Sequence, residues 1–208
     1  MTSTDTMQLA RAERDEFATL LEGLSAEQWD SPTLCEKWRV RDVVAHVIGY
    51  EPLSRAELLR RMAKGLITRG GANAVGVEEY ACKSPEELMA LMREYAVPQG
   101  LTAGFGGRIA LTDGMIHQQD IRRSLGIPRD IPVESLRTAL DFTTWAPRLR
   151  GALRTRGVRL VATDVDWTYG KGPEVRGSGE AVLMAMAGRR VALDDLDGPG
   201  KAKLAQRF

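Results

Sequence analysis

The chain has 208 residues, of which 43% are hydrophobic and 27% charged, an ordinary composition for a globular protein that can bury a core without disulfides. Its 29 Lys and Arg residues balance 28 Asp and Glu residues, and the resulting net charge of +1 excludes a bulk electrostatic attraction to DNA, RNA or an anionic membrane. We therefore expect neither nucleic acid nor a membrane among its partners.

The N-terminal residues and the cysteines bear on localisation. No apolar stretch reaches the length of a transmembrane helix, and residues 1–7 are polar and acidic, unlike a secretory signal. Cys35 and Cys82 lie far apart and form no Cys-x-x-Cys pair. These features predict a cytoplasmic protein with reduced thiols.

Helical periodicity dominates the first half of the chain. Apolar residues at helical spacing predict a first helix within residues 9–24. A second helix begins near Val40 and has a broad apolar face, which Gly49 and Pro52 interrupt before it continues. Residues 65–80 contain four glycines and few large apolar side chains, so the sequence predicts a loop there.

Further helices have clear start and stop signals. Ser84 is followed by Pro-Glu-Glu, which predicts a helix with Ser as N-cap and Pro in the first turn. A glycine-rich connection over residues 98–107 precedes a fourth helix over 108–125, which Gly126 ends. A fifth helix is predicted over residues 132–149.

The pattern changes after Arg150. Between residues 158 and 177, short β-branched or alternating segments with Gly and Pro turns predict strands, and a helix follows over 179–187. The predicted fold is therefore mainly α, with a helical bundle over residues 1–150 and a small C-terminal α/β unit over residues 151–208.

His46 is one of only two histidines in the chain. It lies on the apolar stripe of the second helix, beside Val43, Val44 and Val47. A single histidine in such surroundings is more often a core residue with one hydrogen bond than a metal ligand. This residue alone favours a structural interpretation.

The fourth helix carries Asp113, His117 and Asp120 at positions i, i+4 and i+7, which lie on one helical face. A carboxylate and an imidazole one turn apart can bind one cation together. If the bundle brings His46 beside them, two histidines and one carboxylate form an open metal site. The alternative is an Asp–His ion pair on a solvated face, and chemistry alone leaves both interpretations open.

Cys35 is the candidate for a nucleophile of the chain's own. It lies in the loop Thr33-Leu-Cys-Glu-Lys-Trp, where Lys37 would stabilise a thiolate, but a buried small hydrophobic residue is the commoner role. No pattern supports Cys82. The sequence also lacks the Gly-x-Ser-x-Gly, His-Glu-x-x-His and Cys-x-x-Cys motifs.

Two segments resemble the signatures of the mycothiol-dependent maleylpyruvate isomerase-like family, which belongs to the DinB-like superfamily of metal-binding helix bundles. The first reads Trp29-x-x-Pro32-Thr33-x-Cys35-x-x-Trp38-x-Val40-x-Asp42-Val43-Val44-Ala45-His46-Val47, and the second Asp113-x-x-Ile116-His117-x-Gln119-Asp120-Ile121. Residues 157–188 also resemble the short C-terminal unit found in many members.

The resemblance implies a DinB-like four-helix bundle that binds a divalent metal, with Zn²⁺ as the expected ion. It implies His46, Asp113 and His117 as the ligands, although the isomerase itself has a glutamate where this chain has Asp113. The spacing places Asp120 three residues beyond His117, where it would orient that ring or a bound water. The alternative for Asp120 is an ion pair with Arg123.

The function that the resemblance implies uses mycothiol, a low-molecular-weight thiol, as a cosubstrate. Coordination to the metal deprotonates the thiol, which then attacks an electrophilic small molecule and either isomerises it or transfers the sulfur to it. The alternatives are a metal-dependent hydrolase, in which bound water attacks, and a non-catalytic stress protein that binds a metal or a small molecule. The sequence is compatible with a monomer or a homodimer.

Overall fold

The computed structural model describes residues 3–146 and 149–208. The helices are α1 (Ser3–Glu22), α2 (Ala26–Trp29), α3 (Val40–Ile48), α4 (Arg55–Ile67), α5 (Gly71–Glu79), α6 (Pro85–Glu94), α7 (Arg108–Leu125), α8 (Val133–Trp145), α9 (Gly151–Arg154), α10 (Gly179–Met186) and α11 (Lys201–Ala205), with a 3-10 helix at Arg190–Asp195. The strands are β1 (Arg159–Ala162), β2 (Thr168–Gly170) and β3 (Glu174–Gly177). The mainly helical fold with a small α/β part is thereby confirmed. Within these residues, no helix combines the length and the apolar character needed to cross a membrane.

The chain divides into two compact units, the first ending at Pro128 and the second beginning at Arg129. The boundary predicted from the sequence lies near Arg150, where the helical period ends, and it assigns α8 to the first unit. In the structure α8 contacts α10 of the second unit, and Trp167 donates its indole N–H to Asp141 at 2.8 Å. Helical periodicity shows that a face is buried, but it does not show which neighbour covers that face.

The core of the first unit lies around α3, which contacts α5, α6 and α7, while α1 contacts α6 and α7. All the valines of the predicted apolar stripe are buried, together with large side chains from the neighbouring helices: Phe17, Leu21, Val40, Val43, Val44, Val47, Ile48, Leu88, Met92 and Ile121. Each such burial stabilises the fold by about 1.5–3 kcal/mol. The short helix α3 is therefore held in place by its surroundings.

Local signals set the ends of two helices as predicted. Ser84 caps α6: its hydroxyl accepts from Glu87 N at 3.3 Å, and its own N–H donates to the Glu87 carboxylate at 2.8 Å. The helix α7 covers residues 108–125, and Gly126 ends it in the left-handed conformation, with φ of 68°. No element interrupts the connection between residues 98 and 107.

The prediction of a loop over residues 65–80 is wrong, because α5 forms there from Gly71 to Glu79. Contacts with the preceding elements stabilise this helix: Arg61 donates to Glu79 at 2.5 Å, and Tyr50 donates its hydroxyl to Asn73 at 2.6 Å. Gly76 permits the close approach, since a Cβ there would lie 3.0 Å from the Arg61 guanidinium. These are tertiary contacts, which the local glycine content does not reveal.

The second unit contains the three-stranded sheet in the order β2-β1-β3. β1 is antiparallel to β2 and parallel to β3, with Leu160 paired to Val175 in the parallel ladder. The helix α10 contacts β1, β3 and α8, and its residues 181–186 are all buried. This helix and the predicted strands form the core of the α/β unit.

Candidate metal centre

The helices α3 and α7 bring the three predicted ligands together in the first unit. His46 lies in the last turn of α3, while Asp113 and His117 lie one turn apart on α7. One ligand atom from each residue lies within 4.8 Å of the others. The apolar stripe of α3 therefore places an imidazole against the polar face of α7.

The separations between these side chains suit a shared cation. Asp113 Oδ2 lies 3.7 Å from His46 Nε2, and Asp113 Oδ1 lies 3.6 Å from His117 Nε2. Both distances exceed a direct N–H···O hydrogen bond. Two ligand atoms on a tetrahedral zinc ion are about 3.4 Å apart, because each lies about 2.1 Å from the metal. The donor set and its spacing thus fit a divalent ion.

The site is open on one side. The side chains of His46 and His117 are 7% and 9% exposed, whereas that of Asp113 is 34% exposed. The imidazoles are thus buried behind a carboxylate that solvent reaches.

Asp120 orients the His117 ring. Its carboxylate is fully buried and lies 3.0 Å from His117 Nδ1. Because an ionised carboxylate only accepts hydrogen bonds, Nδ1 carries the proton and donates it. In the neutral imidazole, Nε2 then faces Asp113 with its lone pair available, as in the carboxylate–histidine–metal arrangement of many metal sites.

The electrostatics of the site favour positive charge. Burial alone lowers the pKa of His117, but the charge of Asp113 and the hydrogen bond to Asp120 outweigh it and raise the pKa to about 10. Burial also raises the pKa of Asp113, but His117 and His46 outweigh this effect and hold that pKa well below its ordinary range. The carboxylates therefore stabilise a positive charge at this point, whether a proton or a metal ion carries it.

Aromatic side chains surround the imidazoles. The Trp38 ring centroid lies 4.9 Å from that of His46 and 6.3 Å from that of His117. Tyr50 meets His46 edge-on at 6.1 Å, and the two imidazole centroids are 4.8 Å apart. These contacts restrict the rotation of the histidine rings.

Sequence reasoning missed the positions of Cys35 and Trp38. Cys35 Sγ lies 3.9 Å from His117 Nδ1, and Cys35, His117 and Asp120 form a second group of possible metal ligands. The loop is attached to α7 because Leu34 N donates to Asp120 O at 3.3 Å. The first family signature could have indicated that Cys35 and Trp38 lie near the site, since it contains both residues together with His46.

A family comparison covers the N-terminal part of the chain. Residues 10–98 match the model described as "Mycothiol maleylpyruvate isomerase N-terminal domain". This segment includes His46 and ends before Asp113. The match confirms the resemblance for the first signature, whereas the second signature lies outside the matched residues. No curated protein matches the chain in the sequence search.

Solved structures share the fold. One is the crystal structure of the mycothiol-dependent maleylpyruvate isomerase, with 16% identity and a TM-score of 0.60. Another is a mutant of the mycothiol-dependent maleylpyruvate isomerase, with 18% identity and a TM-score of 0.64. Each comparison covers 97% of this chain and 94% of the other. This chain therefore has the fold of that enzyme over nearly its whole length.

Proposed function

We propose that this protein is a metal-dependent enzyme that uses mycothiol as a nucleophile towards an electrophilic small molecule. The reaction is either the cis–trans isomerisation of an activated double bond or the transfer of the thiol to the electrophile. The observation that carries the proposal is the convergence of His46, Asp113 and His117 at ligand spacing, with only the carboxylate open to solvent. Two imidazoles and one carboxylate form a common catalytic set for Zn²⁺.

The solved structures of similar fold support the choice of thiol. Both are named as mycothiol-dependent maleylpyruvate isomerase. The same comparison supports isomerisation as one of the two outcomes. The cytoplasm is the compartment we propose, because thiols stay reduced there.

The ligand charges suit a thiolate. A divalent cation bound here would lower the pKa of a coordinated thiol and hold it as the thiolate. His46 and His117 bind as neutral imidazoles, and Asp113 contributes one negative charge. A divalent cation and these three ligands would together carry a net charge of about +1, which would stabilise an anionic sulfur from outside the chain.

Residues around the ligands have supporting roles. Asp120 accepts a hydrogen bond from His117 Nδ1–H and so directs Nε2 towards the cation. The Trp38 ring lies beside both imidazoles and restricts their rotation. Cys35 contacts His117 on the Nδ1 side, whereas Nε2 faces Asp113. We therefore assign the nucleophile to the external thiol and not to Cys35.

A hydrolase is the second candidate, and the exposure of Asp113 favours it over a closed structural site. Three protein ligands and an open side would also admit water, which a bound metal activates as a nucleophile. The two functions differ in one requirement, since only the first needs a thiol. A non-catalytic binding protein would show no turnover, with or without a thiol.

Metal analysis and thiol-dependent turnover test the proposal. We expect about one Zn²⁺ per chain by mass spectrometry of the metal, by analogy with other mononuclear centres. We expect conversion of maleylpyruvate, or of another activated alkene, only when both metal and mycothiol are present. His46→Ala should lose the metal and the conversion, whereas Cys82→Ala, at an exposed and distant thiol, should lose neither. Turnover without thiol would favour the hydrolase, and absence of stoichiometric metal would contradict both enzymes.

A further inference from the structure

A buried ion pair outside the ligand set links three parts of the first unit. Arg14 of α1 and Glu51, just beyond α3, have side chains that are 1% and 0% exposed, and their charged atoms are 2.5 Å apart. Replacing a buried ion pair by apolar residues of similar volume is often neutral or stabilising. Stability alone therefore does not explain this pair.

Arg14 holds the end of α3. Its guanidinium donates to Val47 O at 3.5 Å and to Tyr95 O at 3.1 Å. The last carbonyls of a helix lack intrahelical partners, and a cation near them is favourable. Since Val47 directly follows His46, Arg14 acts on the turn of α3 that carries this ligand.

Glu51 holds the connection that leads into α7. Its carboxylate accepts from Thr102 Oγ1 at 2.6 Å and from Gln99 N at 2.7 Å. Thr102 in turn accepts, through its carbonyl, from Ala110 N at 3.1 Å. Ala110 lies in the first turn of α7, three residues before Asp113. The network therefore runs from the turn of His46 to the helix of Asp113.

We infer that Arg14 and Glu51 are positioning residues of the metal centre, which set the separation of His46 from Asp113 and couple segment 98–107 to the bound cation. The inference rests on the proposed metal site. Coupling between two sites is reciprocal, so a network that strengthens cation binding must itself be stabilised by the cation. Segment 98–107 should thus become more protected when Zn²⁺ binds.

A purely stabilising ion pair would behave differently. Its loss would lower the melting temperature but leave the Zn²⁺ dissociation constant of the folded protein unchanged. A positioning pair changes that constant even where folding is complete. The two roles therefore separate when affinity is measured well below the melting temperature, with circular dichroism to confirm the fold.

The matched variants are Glu51→Gln, Thr102→Val and Thr102→Ser, with Glu79→Gln as control. Glu79 is the partner of another buried arginine in the same unit, Arg61, which donates to Gly49 O at 2.6 Å at the end of α3. Its variant therefore loses an ion pair behind a similar helix-end contact but loses no hydrogen bond to segment 98–107. Groups that hydrogen-bond a metal ligand typically contribute about 10–100-fold in affinity. Because Glu51 acts on the ligands only through Arg14 and segment 98–107, we expect Glu51→Gln to lose about tenfold, the lower end of that range, by chelator competition with Zn²⁺. Thr102→Val should lose affinity, whereas Thr102→Ser and Glu79→Gln should bind like the wild type.

Hydrogen exchange of segment 98–107 provides the second readout. Zn²⁺ should slow exchange there in the wild type, including at Gln99 N–H, and the effect should disappear in Glu51→Gln. If Glu51→Gln does not fold, the comparison of Thr102→Val with Thr102→Ser tests the inference instead. Wild-type affinity in the variants, or no protection of the segment, would overturn this inference and leave the proposed function standing. A wild type that binds no Zn²⁺ would overturn the proposed function itself.

Discussion

His117 donates its Nδ1–H to the buried carboxylate of Asp120 at 3.0 Å, and this contact fixes the imidazole before any ion binds. The ring then presents Nε2 to Asp113, 3.6 Å away. A ligand held in its binding orientation loses little conformational entropy when the ion arrives. In the proposed metal centre, the Asp120 contact would therefore raise the affinity for the cation, although Asp120 does not belong to the group of His46, Asp113 and His117.

Replacing Asp120 should weaken metal binding. We expect Asp120→Ala to lose about 10–100-fold in Zn²⁺ affinity, because the His117 ring is no longer held in its tautomer and orientation. Asp120→Asn should lose less, since its amide oxygen still accepts from Nδ1. Competition with a fluorescent chelator measures both constants. Equal affinities for wild type and Asp120→Ala would show that packing alone orients the ring.

Metal affinity should rise with pH. The pKa of His117 is raised to about 10, so the metal-free protein carries a proton on this imidazole at neutral pH. Zn²⁺ must displace that proton, and each pH unit below the pKa costs up to about tenfold in affinity for one proton released. Titration calorimetry in buffers of different ionisation enthalpy counts the protons. A constant affinity between pH 6 and pH 8 would contradict the raised pKa.

For Zn²⁺ affinity, the charge of the Asp113 side chain should matter more than its length. Asp113→Asn removes the negative charge that raises the pKa of His117 and attracts the cation, so both the Zn²⁺ affinity and that pKa should fall. Asp113→Glu keeps the charge but adds a methylene, about 1.5 Å of chain, and should bind with intermediate affinity. Chelator competition and proton NMR titration of the histidine rings measure these effects. Tighter binding by Asp113→Asn than by Asp113→Glu would contradict this ranking.

We expect thiol-dependent conversion to require His117 but not Cys35. Because the proposed nucleophile comes from mycothiol, His117→Ala should abolish thiol-dependent conversion, whereas Cys35→Ala should keep most of it. The half-buried Cys35 thiol contacts His117, so a modest change in rate is compatible with the proposal. Initial rates at saturating mycothiol provide the comparison. An essential Cys35 and a dispensable His117 would indicate a cysteine enzyme instead.

Much of the fold was predictable because its signals are local. Ser84 and Gly126 mark helix ends through their own hydrogen bonds and backbone angles, which depend on a few neighbouring residues. Residues 65–80 show the opposite case. The glycines there favour a loop, but Arg61 and Tyr50 stabilise α5 by contacts that no local pattern contains.

The sequence by itself determined the candidate histidine ligands and their carboxylate, since the chain has two histidines and the i, i+4 spacing puts Asp113 on the face of His117. Tertiary structure decided that α3 lies against α7, which brings His46 to within 3.7 Å of Asp113. It also decided that Cys35 contacts His117, and that Glu51 reaches Thr102. The physical reason is that periodicity records the burial of a face, whereas the partner of that face depends on how distant segments come together.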